Sequence, residues 1–447
     1  MKSFRVTVST PVMLMCVFQV AFLVIYLYLN ILTIGSDLGV GLTILGLHIF
    51  CSFCLLAGLY FKNNIVLNLR YWFFWFALLM CWLSLRVVID LGDLYFLKQI
   101  TIATTGGILF FFLLGQGLSL CYQAGIARLC APRFFIYVWL GCFLAVLCLI
   151  YFLSNRMHES YFIVTGINGA YQRPGNFLSM IYMLSSYAYM SKLSVLISQL
   201  SKVGLKTFIL YSTIFFLYTI LALGLSQMIG SNSATGVILI LYAITFMMSV
   251  LSIKEKWACM SVFSLKQIYF LARIGMLGIV VFALFIFMFL TFSEFDIGRL
   301  GVLGFGSGEV TSLSSRVEIL SETFQLQAGY SPIFGDMNVA SNVTGDEGKT
   351  LHNLFPYVLA NLGAIGLCLM LLMLLGLVWA NVISTRGGAS NITFLGSYKV
   401  YVVLGMIFFA NIATGISWPV LWFSLGLLGG GIVQIVPKRK NRLALLL

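Results

Sequence analysis

Three positions in an otherwise apolar chain have the residue types and spacing to act on an anionic substrate. Arg316 opens the run SSRVEILSETFQLQAGYSP, in which Ser315 and Glu318 form an S-x-x-E capping box. Val317, Leu320 and Phe324 recur there at helical spacing, and Gly329 with Pro332 supplies a stop. The pattern predicts a short amphipathic helix over about 316–328 lying on the membrane face. Arg316 would sit in its first turn, where free backbone N–H groups and the positive end of the helix dipole favour an anion. A guanidinium adds planar, bidentate recognition of phosphate oxygens. The blander reading has the same arginine reaching lipid head groups or pairing with Glu318 or Glu322. His352 and Asn353 stand at the start of a later apolar run, with Pro356 in its first turn. A helix N-terminus favours a neutral imidazole, which can take a proton from a hydroxyl, although Asp346 and Glu347 act in the opposite sense. A histidine in this position also serves simply as a hydrogen-bonded residue of the interfacial belt. Arg173, in YQRPGNFLSM, meets a third helix start marked by Pro174 and Gly175. Two arginines and one histidine at helix starts make a site for a diphosphate and a hydroxyl.

The elements that must position these residues are membrane spans. Of 447 residues, 61% are hydrophobic and 9% charged, with a mean hydropathy of +1.04. That leaves too little polar surface to coat soluble domains. Apolar runs of about 20 residues between polar punctuation predict twelve helices. They lie near 11–34, 38–61, 71–90, 99–119, 134–153, 175–198, 207–228, 235–253, 272–293, 354–380, 398–415 and 418–436. With the N-terminus inside, 19 of the 26 Lys and Arg residues fall in inner segments, six fall outside, and Arg86 lies within the third span. Such an asymmetry in short loops sets orientation, so both termini are expected in the cytoplasm. The net charge of +13 is thereby explained by topology, without nucleic acid.

Eight of the 13 acids fall between spans nine and ten, in the long polar segment of roughly 294–353. A second external piece covers about 154–174. Irregular polar sequence kept by an otherwise economical membrane chain is where function is expected. MKSFRVTVSTP followed by more than 20 apolar residues reads as a retained first helix rather than a cleaved signal. All ten cysteines fall in spans or inner loops, so no disulfide is expected, and Cys51 with Cys54 reads as packing. His48 is mid-span and His158 lies in the shorter external loop. No internal repeat of the kind common in secondary transporters is visible.

The run SSRVEILSETFQLQAGYSPIFGDM, followed after a gap by LHNLFPYVLANLGAIGL, resembles the shared C-terminal region of bacterial O-antigen polymerases (the Wzy class) and O-antigen ligases. The shared pattern is an arginine opening a short external helix, a Pro-x-x-Gly turn, an HN pair, and a helix with Gly-x-x-Gly, here Gly363 and Gly366. RPGNF resembles the family's earlier Arg and G-N element. The resemblance is sharp over about 315–370 and looser at 173–177. It implies a glycosyltransferase with a GT-C-like architecture in the bacterial inner membrane. Its donor and acceptor would be undecaprenyl-diphosphate-linked oligosaccharides, used on the periplasmic face without metal or other cofactor and with inversion. Arg316 would hold the donor diphosphate with Arg173 assisting, His352 would act as base or orient the acceptor hydroxyl, and Asn353 and Asn176 would contact substrate. A chain-length-regulating membrane protein is a partner that the same resemblance allows.

Ligases commonly place an arginine at the start of the helix corresponding to span eight, whereas this chain has GSNSATG at 230–236. The absence of a cation there favours polymerase over ligase. A lipid-linked oligosaccharide flippase is the alternative from another class, and it needs charges facing a central path. Arg86, which can reach Asp90 at i+4, is the chief candidate, although that pair could equally be structural. A metal-dependent oligosaccharyltransferase would need converging external carboxylates, for which Asp336, Asp346 and Glu347 are the only cluster. Solvation of a loop explains those acids more simply.

Overall fold

In a computed structural model of the chain, the described residues are most of 11–22, then 38–61, 65–67, 71–90, 95–129, 131–154, 172–198, 205–229, 231–258, 331–339, 353–386, 390–413, 415–429 and 433–435. They are helical apart from the loop 331–339, the turn 415–418, single capping residues and one small ladder. The described part of 11–22 is helical. There follow α1 (Leu38–Phe61), β1 (Ile65–Leu67), α2 (Tyr71–Asp90), α3 (Tyr95–Leu129), α4 (Ala131–Ser154), α5 (Gln172–Ser198), α6 (Leu205–Ile229) and α7 (Asn232–Ala258). The remainder comprises α8 (Leu354–Arg386), α9 (Ser390–Ala413), α10 (Pro419–Leu428) and β2 (Val433–Ile435). β1 and β2 pair antiparallel, with Val66 opposite Gln434.

Four helices among the described residues contain stretches long and apolar enough to cross a membrane: Trp72–Asp90, Thr105–Tyr122, Ser233–Val250 and Leu354–Ala380. Their outer faces carry bare apolar side chains such as Phe74, Val88, Leu375 and Trp379. Such faces are stable where lipid is the solvent, since lipid chains, unlike water, impose no penalty on apolar surface.

α5 lies among α4, α6, α7, α9 and α10. It is rich in serine and tyrosine yet buried from Leu178 to Tyr182 and again from Ala188 to Met190. Its hydroxyls are satisfied internally, as burial in an apolar medium requires. Ser179 donates to the Gly175 carbonyl (2.9 Å), Tyr398 donates to Ser186 Oγ (3.0 Å), and Tyr182 shares a bond of 2.8 Å with Thr219.

Two expectations are corrected. The last span, expected over 418–436, is helical only over ten residues, about 15 Å by helix rise. Gly429 ends it by donating its amide to the Leu425 carbonyl, and the next described residues form β2. The short helix is buried along α3, where Gly115 and Gly426 let the two backbones touch. The helix expected to run unbroken over 354–380 is interrupted at Gly363, whose φ of 67° and ψ of −170° form a backbone conformation that essentially only glycine adopts. Span nine, the amphipathic helix over 316–328 and most of the two external segments lie outside the described residues.

Candidate functional site

The break in α8 is filled by another part of the chain. In an unbroken helix the Ala364 and Ile365 amides would donate one turn back. Here they donate to the carbonyls of Pro332 (2.9 Å) and Ile333 (3.2 Å) in the loop 331–339. The Ala360 carbonyl, freed by the same break, accepts from the Asp336 amide (3.0 Å), and the Leu362 carbonyl accepts from Trp82 Nε1 (2.9 Å). The groups lost to the kink are thus recovered from the loop and from α2, which is what makes a break at this depth tolerable. Gly335 and Gly363 both have positive φ, and a Cβ on either would collide with the backbone of the other strand of this joint. Both glycines are required by close approach as well as by backbone conformation.

A buried ion pair holds the loop to the end of α2. Arg86 Nη2 lies 2.5 and 2.6 Å from the two Asp90 carboxylate oxygens and donates to the Gly335 carbonyl at 2.7 Å. Asp90 accepts in turn from the Met337 amide (3.1 Å), and its own carbonyl accepts from Asn338 Nδ2 (3.1 Å). Asp336 turns inward on the loop, accepting from the Asn338 amide at 2.9 Å. The side chains of Arg86 and Asp90 are 11% and 9% exposed, so their mutual attraction acts with little solvent screening.

At the head of this unit, Asn353 caps α8: its carbonyl accepts from the Tyr357 amide (2.9 Å), and its φ of 96° is the one positive value on a non-glycine residue among the described residues. Asparagine tolerates that region better than most, and strain of this kind collects at functional positions. The adjoining Phe355 amide is capped from outside by Asn411 Oδ1 of α9 (3.1 Å). From Asn411 the contacts continue to a second group of helix starts. Phe409 packs on Trp418 at the head of α10 and close to Gly236 of α7. Trp418 Nε1 donates to Asn176 Oδ1 (3.1 Å) at the head of α5. Gly175 leaves room for Ser231, which caps α7 by accepting from the Ala234 amide (3.3 Å). The N-terminal ends of α5, α7, α8 and α10 therefore share one rim, with the positive ends of four helix dipoles gathered there. An anion arriving at such a rim is favoured before any arginine is counted.

Of the residues singled out by sequence, Asn353 heads α8, and Asn176 spends its carbonyl oxygen on Trp418. Arg173 belongs to the first turn of α5, one residue before Pro174 on this rim. Arg316 and His352 lie outside the described residues, His352 being the chain neighbour of Asn353. Ser231 is buried under Gly175, which leaves no room for a cation at that position. Sequence reasoning missed Asn411, Trp418 and the part played by Gly335, Gly363 and Trp82. The i, i+4 spacing of Arg86 and Asp90, the Pro332-x-x-Gly335 turn and Gly363 are each visible in the sequence, but nothing local joins them. Set against known proteins, the chain matches no family profile and no curated protein.

Proposed function

We propose that the chain is a metal-independent, undecaprenyl-diphosphate-dependent glycosyltransferase of the O-antigen polymerase kind. In this reading the chain crosses the membrane twelve times, the last crossing being made by the ten-residue α10 together with the chain that carries it on to β2, both termini are cytoplasmic, and 294–353 lies on the periplasmic side of the inner membrane. The observation that carries the reading is the joint. The Pro332-x-x-Gly335 turn is threaded through the helix break at Gly363, in the helix that Asn353 heads. Three separate pieces of the sequence pattern thus form one body, with His352 next along the chain.

The chemistry follows from the residues. The acceptor sugar's hydroxyl oxygen attacks the anomeric carbon of the donor glycan, and the bond from that carbon to the diphosphate breaks with inversion. His352 takes the hydroxyl proton, a contribution of about 10² to 10⁴ in rate. Undecaprenyl diphosphate leaves with the bonding electrons, and its growing negative charge is met by Arg316, by Arg173 and by the dipole ends at the rim. Donor and acceptor are anchored in one leaflet, so membrane depth supplies part of their orientation.

Deleting the gene in its host tests the assignment. A polymerase null leaves a single repeat unit on the lipid A core, whereas a ligase null leaves none, and an unchanged glycan profile contradicts both. Arg316→Lys is expected to lose most activity at normal protein level, because a point charge cannot reproduce bidentate phosphate contact. The flippase alternative loses ground for a physical reason. The Arg86 and Asp90 charges that it would place along a transport path are engaged with each other and with the loop backbone.

A further inference from the structure

We infer that Arg86 and Asp90, which lie outside every motif that carries the resemblance, are positioning residues for the glycosyl-transfer step: they anchor the loop whose threading through α8 fixes the direction of the helix segment headed by Asn353 and preceded by His352. The inference rests on the function proposed above and names what orients the helix segment that follows the proposed base in the sequence.

A charged side chain within an apolar span is expensive, most of all towards the bilayer centre. A pair that only neutralised itself could be replaced by apolar residues of similar volume at no loss. Here the partners extend beyond the pair. Arg86 holds the carbonyl of Gly335, 249 residues away, and Asp90 holds the amide of Met337 and, through its own carbonyl, Asn338. The same four-residue stretch contains the Asp336 amide bonded to Ala360, while Pro332 and Ile333 just before it cap the second part of α8. Residues Leu354–Leu362 form a short lever between the rim and the break at Gly363. This segment of about two and a half turns is packed through Leu354, Val358 and Leu362 and capped by Asn411 at its head, and its lower end is bonded to the loop through the Ala360 carbonyl, so a shift of the loop is passed to the segment as a whole. Displacing a catalytic group by about 1 Å costs on the order of 100-fold in turnover.

The test uses full-length protein in nanodiscs carrying Arg86→Met together with Asp90→Leu, which removes both charges so that neither is left unpaired. Three quantities are read: folded yield, binding of the lipid-diphosphate donor, and glycan product per folded molecule. Backbone amide exchange over 332–338 and 360–366 is read alongside them. The expected result is near-normal yield and donor binding, exchange in both segments faster by about tenfold or more, and product down by about ten- to a hundredfold. Should the double variant fold poorly, Asn338→Ala cuts one loop anchor without touching charge, and a severalfold loss of turnover with unchanged donor binding is expected. Full product with a loosened joint, or an unchanged joint, overturns the inference. Wild-type protein that makes no product at all overturns the functional reading instead, and the two failures are told apart by that control.

Discussion

Two places in this molecule bury polar side chains among apolar helices, and they do so to different ends. Near the N-terminus, His48 Nε2 pairs with Gln19 Oε1 (3.0 Å), and Gln19 Nε2 donates to Ser52 Oγ (3.1 Å). The rings of Phe18, Phe22 and Phe110 enclose the imidazole at 5.7, 4.7 and 4.5 Å, and Gly117 leaves the space that Gln19 fills. Each of those polar partners belongs to the adjoining helices, and His48 Nδ1 is left without a partner among the described residues. The Arg86–Asp90 pair reaches instead for the backbone of a loop from the far end of the chain. Buried polarity that binds neighbouring helices specifies packing, whereas buried polarity that binds a distant loop specifies where that loop is held. In this protein the second kind lies beside the candidate site, and the first contributes only to the bundle.

The contrast breaks most sharply at Gly363. Gly363→Ala adds about 1–3 kcal/mol of backbone strain and a similar overpacking cost where the new methyl meets the Ile333 carbonyl. Folded yield from membranes should collapse, and a normal yield would show that the loop is not threaded through the helix. A milder effect is expected at His48. His48→Leu leaves the Gln19 oxygen without one partner inside the bundle and should lower thermal stability by on the order of 1 kcal/mol. Glycan product per folded molecule should stay at the wild-type level, and a loss of product at normal stability would place this cluster in the catalytic apparatus and dissolve the distinction. The smallest effect is expected from Trp418→Phe, which keeps the ring against Phe409 and loses the bond to Asn176. A cost of about 0.5–1.5 kcal/mol, read as a small drop in melting temperature, is expected. A large drop would mean that the rim depends on this bond more than on helix packing.

Much of the helical framework is legible in the sequence because an apolar run of span length has few other fates. Leu38–Phe61 and Tyr71–Asp90 coincide with the expected limits. The failures share a cause. Gly429 ends α10 early within a stretch that reads as continuous apolar sequence, since hydropathy does not register that consecutive glycines favour leaving a helix. Gly363 reads as a tolerated helical glycine until its partner loop, about 30 residues earlier in the chain, is placed inside the break. The site is legible in its parts, as turn, HN pair and glycine pair, because those residues carry local constraints. Their union is not legible, nor is the reason for Arg86 and Asp90, because the bonds that join them are made by backbone groups, which every sequence has. Asn411, which caps α8 across 56 residues, left no local signal either.

The central claim is tested most directly by purified protein in nanodiscs supplied with an undecaprenyl-diphosphate-linked repeat unit in the presence of EDTA, with lipid-linked products resolved by length. A ladder of products differing by one repeat, formed by the wild type and lost in His352→Ala at equal donor binding, is the predicted result. A ladder that needs a divalent cation, or no lengthening at all by well-folded wild-type protein, would contradict the account.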